Sequence, residues 1–126
     1  MSISENKEFV RRYLDAISGK PKPDAVLDLY MTDESLKEHI RAAEAGLPLY
    51  RLDAEEIIAE GDVVAVRGRV RAKHLGVLAG VPPTGKVVDF GIFVSYRIAN
   101  GKIVDHWMLT DTVAMLQQMG VMPMPA

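Results

Sequence analysis

Phe9, Val10, Tyr13, Leu14 and Ile17 recur at three- and four-residue spacing, the apolar stripe of an amphipathic helix. Gly19, Pro21 and Pro23 stop that helix. Val26, Leu27 and Tyr30 suit a short second helix. Thr32 or Asp33 then caps a third, whose inner stripe is Leu36, His39, Ile40 and Ala43 and whose end is marked by Gly46 and Pro48. From Tyr50 the period changes from helical to two. "YRLDAEEIIAEGDVVAVRGRVRAKH" reads as two strands folded at Glu60-Gly61-Asp62, with Val64, Val66, Gly68, Val70 and Ala72 on one face of the second strand. A long third strand carries Val88, Phe90, Ile92, Val94, Tyr96 and Ile98 on one face. Asn100-Gly101 is a two-residue type I′ hairpin signal. A last strand follows it, then a short helix with Val113, Leu116 and Met119, ended by Gly120.

Helices first and strands afterwards predict an α+β fold, with helices on one face of an antiparallel sheet. A regular two-residue hairpin also predicts a register, because directly opposed residues share a face. Ile98 then faces Ile103, Tyr96 faces Asp105, Val94 faces Trp107, Ile92 faces Leu109 and Phe90 faces Asp111. On this reading Asp111 lies on the apolar, helix-covered side, where a carboxylate must pair, cap or react. Two roles stand open: an N-cap for the last helix, or a desolvated acid whose pKa rises toward neutrality until it exchanges protons.

Bulk composition narrows the classes. The 126 residues fit one domain, residues 1–126, without repeat or linker. Apolar residues make up 48% and charged residues 25%, an ordinary globular balance. With no cysteine, disulfides and thiolate metal sites are excluded and a reducing, cytoplasmic setting is expected. A net charge of -2 and a pI near 5.9 argue against a nucleic-acid footprint. The longest apolar runs fall short of a membrane span, and the polar N-terminus has no signal core. No HxxxH or HxH spacing supports a metal site, and "PPTGK" lacks the spacing of a phosphate loop.

"AEGDVVAVRGRVRAKHLGVLAGVPPTGK", "YRIANGKIVDHW", Asp111 and "MLQQMG", with "DESLKEHIRAAEAGLPLYRLDAEEI" upstream, resemble the SnoaL-like polyketide (ester) cyclases. That family sits in the nuclear transport factor 2-like superfamily of cone-shaped α+β domains, so the resemblance implies helices on a curved sheet around an apolar pocket. It also implies a cofactor-independent enzyme that closes a polyketide ester by intramolecular aldol chemistry. The residue it assigns as general acid/base, before the last helix, is Asp111.

Other residues belong around such a pocket. His39, on the inner stripe of the third helix, is the second catalytic candidate, against the commoner role of a hydrogen-bonded core histidine. Tyr13, Phe90, Tyr96, Trp107 and Leu109 are core residues and candidate pocket wall, and His74 ends its strand beside a loop expected to close the cavity mouth. His106, opposite Ser95, reads as surface or subunit contact. Phe93, Val104 and Met108 make the outer face of the last hairpin too apolar for open water, which predicts a homodimer through that face. The expected partner is otherwise a hydrophobic small molecule. A ketosteroid-isomerase-like proton transfer using Tyr13 and Asp33, or a non-catalytic binding module, are the alternatives. An open apolar cavity with Asp111 exposed to it favours an enzyme, and a packed one favours the module.

Overall fold

The computed structural model describes residues 2–123. Three helices, α1 (Ile3–Ile17), α2 (Asp24–Tyr30) and α3 (Glu34–Gly46), precede four strands, β1 (Arg51–Glu60), β2 (Val63–Lys73), β3 (Val87–Ala99) and β4 (Lys102–Thr110), and helix α4 (Thr112–Gln118) closes the chain. The strands form one antiparallel sheet in the order β1-β2-β3-β4. The α+β expectation and the order of elements hold. No described helix is long and apolar enough to cross a membrane.

Local chemistry explains the helix starts. Ser2 and Glu5 form a capping box that satisfies two orphan N–H groups of α1. Asp33 caps α3 by accepting from the Leu36 amide at 3.0 Å. The stripe of α1 is buried as its spacing requires. Its Phe9 and Tyr13 rings pack against Tyr30 of α2, each at 5.7 Å, and Tyr13 meets Tyr96 of β3 edge to face at 5.7 Å. Such buried aromatic pairs add roughly 0.5–1.5 kcal/mol each beyond area burial. They pin helices to sheet at the closed end of the fold.

Asn100 and Gly101 take φ of 50° and 71°, the left-handed values that a type I′ turn needs. The hairpin starts as expected, with Ala99 opposite Lys102 and Ile98 opposite Ile103. It then slips by one residue. Val104 is left over, and the ladder continues with Arg97 opposite Asp105, Tyr96 opposite His106, Val94 opposite Met108 and Ile92 opposite Thr110. This is a β-bulge, one extra residue that inverts every later side chain of the strand. The segment between α2 and α3 docks at the same place: Met31 bridges Ile103 in parallel, and the Thr32 amide donates to the Ile103 carbonyl at 2.9 Å.

The expected register is therefore corrected beyond Ile103. His106, Met108 and Thr110 share the inner face with Tyr96, Val94 and Ile92. Trp107 and Leu109 point outward and are 58% and 62% exposed. Asp111 is exposed rather than placed beside Phe90.

Candidate active site

Between α3, the inner face of the sheet and α4 lies a cavity of about 540 Å³. Its apolar wall includes Ile40, Leu47, Leu52, Val70, Phe90, Ile92 and Met115, and Leu78 and Ala79 close it from the loop after β2. That loop is held at its root by the Leu75 and Gly76 amides, which both donate to the Gly46 carbonyl at the end of α3 at 3.1 Å. Polar groups reach the cavity from Ser35, His39, Tyr50, Asp105, His106 and Thr110. Neither lysine nor arginine lines it.

The bulge puts His106 on this wall. Its Nδ1 lies 2.7 Å from Asp33 Oδ2, and both side chains are more than nine-tenths buried. Asp33 spends its other oxygen on the α3 cap, so that carboxylate has a fixed direction. A carboxylate at hydrogen-bond distance makes Nδ1 the N–H donor and leaves Nε2 with its lone pair. The His39 ring stands edge-on to His106 with centroids 5.6 Å apart. Two imidazoles, one of them held from behind by a buried carboxylate, thus border one mostly apolar chamber.

Ligand atoms of Asp33, Asp105 and His106 lie within 4.8 Å of one another. A cation held there would compete with the Asp33–His106 hydrogen bond, since Nδ1 has a single site for proton or metal.

The remaining sequence candidates divide. Phe90 lines the cavity; His39, expected on the buried stripe of α3, lines it from an exposed position; and Trp107 borders it while presenting most of its surface outside. Tyr13 and Tyr96 are buried in the aromatic cluster and do not line the chamber, and Leu109 lies on the outer face. Burial pushes the phenol pKa of both tyrosines up. His74 is wholly buried and does not line the cavity either; its Nδ1 meets Thr84, accepting from that residue's amide at 3.2 Å. Asp111 accepts from the Ala114 amide at 3.0 Å as the N-cap of α4. Asp111→Ala is therefore expected to cost about 1 kcal/mol in urea unfolding, and Asp111→Asn almost nothing.

Sequence reasoning missed His106 and its partnership with Asp33. A signal was present. The regular register put both Asp105 and Asp111 on an inward row, and two carboxylates facing one core are better explained by a slipped strand.

Helices over one face of an antiparallel sheet, with a mostly apolar chamber between them, define an α+β class with a pocket for a small molecule. The model of the SnoaL-like polyketide cyclases matches residues 8–119, and the chain belongs to that family. No curated protein matches it. Among solved structures it is similar to AclR, a proposed hydroxylase from Streptomyces galilaeus (24% identity, TM-score 0.85, covering 99% of this chain and 87% of that one). It is also similar to a proposed SnoaL-like polyketide cyclase from Jannaschia sp. CCS1 (24%, 0.83, 98% and 97%). A third is IdmH, a proposed polyketide cyclase from Streptomyces antibioticus (23%, 0.77, 93% and 99%). At these identities the likeness shows the fold.

Proposed function

We propose that the protein is a cofactor-independent cyclase that removes a proton next to a carbonyl in a hydrophobic substrate, with His106 as the base. The observation that carries this reading is the buried 2.7 Å contact between His106 and Asp33 on the wall of an apolar cavity. His106 Nε2 takes the α-proton, the C–H electron pair becomes a C=C bond, and the carbonyl π pair moves to oxygen. The enolate carbon then attacks a second carbonyl of the same molecule. The resulting alkoxide takes that proton back from the His106 imidazolium, so the base is regenerated and the product is an isomer of the substrate. Asp33 keeps the imidazole in the Nε2-basic tautomer and stabilises the imidazolium, an arrangement worth several powers of ten in other acid–base sites.

This reading moves proton transfer from Asp111 to His106, because Asp111 does not line the cavity and spends its carboxylate on the α4 cap. An isomerase-like outcome shares the first step and differs only in where the proton returns. The open cavity weighs against a filled module, although Asp111, expected to face it, does not line it. The test is α-proton exchange of 2-tetralone in D2O, followed by NMR. Faster exchange with protein than in buffer is expected, and equal rates would sink the assignment.

We also propose a homodimer through the outer sheet face. The corrected register strengthens this expectation by adding Trp107 and Leu109 to Phe93 and Val104, all exposed, while Met108 and His106 leave that face. Trp107→Glu and Leu109→Glu should each give a monomer by light scattering, since each places an unpaired charge in a desolvated contact. Persistent dimers in both variants would place the contact elsewhere.

A further inference from the structure

Proton abstraction beside a carbonyl leaves charge on oxygen, and His106 and Asp33 do nothing for that atom. We infer that Tyr50, at the start of β1, is the hydrogen-bond donor that stabilises the enolate oxygen, and that Lys22 positions it. The inference rests on the enolate chemistry proposed above.

Tyr50 lines the cavity and is 5% exposed. Its hydroxyl has no protein hydrogen-bond partner among the described residues. The sealed, unpartnered side-chain atoms among those residues are Asn6 Oδ1 and His74 Nε2, so the Tyr50 hydroxyl, on a residue that lines the chamber, is not sealed. An unengaged donor inside an apolar cavity is the arrangement that oxyanion stabilisation requires.

A further observation bears on the ring itself. Burial, and then the Glu44 carboxylate, hold the Tyr50 phenol well above its usual pKa, so it remains a neutral donor. The buried Lys22 ammonium sits 4.1 Å from the ring centroid. Lys22 Nζ donates to the Lys20 carbonyl at 2.9 Å, to Glu44 Oε2 at 2.9 Å and to the Tyr50 carbonyl at 3.1 Å. This tethers one cation to both the backbone and the ring face of Tyr50, which fixes the ring and hence the line of its O–H bond.

The donor makes a hydrogen bond and transfers no proton. It is expected to favour an anionic oxygen over a neutral one, which can be read by binding alone. The probes are 4-nitrophenolate, whose visible band reports its ionisation, and 4-nitroanisole, which has the same shape and cannot ionise. Measurements belong at alkaline pH, where imidazoles are neutral.

Tyr50→Phe should weaken phenolate binding by about 10- to 100-fold, the scale of a hydrogen bond to a charged group, and leave nitroanisole affinity unchanged. Lys22→Met should lower the phenolate-to-anisole ratio by a smaller factor, whereas a merely structural lysine would weaken both ligands alike. If Tyr50→Phe leaves the ratio unchanged, or wild type shows no preference for phenolate, the assignment is overturned. Wild type that speeds 2-tetralone exchange without preferring phenolate overturns the donor alone, and wild type that prefers phenolate without speeding exchange overturns the base alone, so the two failures are read separately.

Discussion

Exchange of 2-tetralone protons by the His106→Gln variant should fall by about 10²- to 10⁴-fold, the range that general-base catalysis contributes. Glutamine fills similar space and can still hydrogen-bond toward Asp33, so the fold should survive with an unchanged urea midpoint. Asp33→Asn should lose much of the same activity by a different route. An asparagine can cap α3 about as well as aspartate. It cannot supply the negative charge that stabilises an imidazolium, so the loss should appear in kcat more than in KM. Wild-type rates in His106→Gln would show that the base is another group.

The largest structural effect is expected at Gly76. A Cβ there would stand 1.9 Å from the Ala45 carbonyl oxygen, a backbone atom that cannot step aside without moving the end of α3. Gly76→Ala must therefore push the loop away from α3, breaking the bonds from the Leu75 and Gly76 amides to the Gly46 carbonyl. Overpacking and the lost bonds together should cost on the order of 3 kcal/mol in urea unfolding. Leu78 and Ala79 travel with that loop, so the chamber should also lose its outer wall and bind nitroanisole more weakly. Gly91→Ala is the control. A Cβ at that strand position meets nothing within 4 Å, and its stability should stay within about 0.5 kcal/mol of wild type. Equal stability of the two variants would mean that the loop does not rest on α3 as described.

The frame of this protein was legible because its periods are clean. The stripe of α1, the alternation of β3 and the Asn100-Gly101 turn each have one structural solution, and each formed as expected. The site was less legible, for one reason. Hydrophobicity assigns Trp107 and Leu109 to the interior, and a flat hairpin agrees. The bulge at Val104 overrides both by giving the inner positions to His106, Met108 and Thr110. Its partner at the edge of β4 is the Met31–Thr32 backbone, a contact between segments that no local pattern connects. Helical spacing aimed His39 only in part: it lines the cavity, but it is exposed rather than buried on the inner stripe of α3. Asp33 was read as a cap, which it is, and as the base of an isomerase-like alternative, but neither reading paired it with His106.

The stitching between the α2–α3 junction and the last hairpin also sets when function can emerge in a refolding chain. Lys102 donates to the Asp28 and Leu29 carbonyls at 2.9 Å, Ile103 bridges Met31, and three residues further on His106 meets Asp33 across 73 positions of sequence. Helices and hairpins form from neighbours, but this seam joins the first half of the molecule to nearly its end, and loop closure over such a span is slow relative to local structure. A refolding sample should regain its helical signal first and its proton-exchange activity afterwards, with the lag timing the closure of that seam.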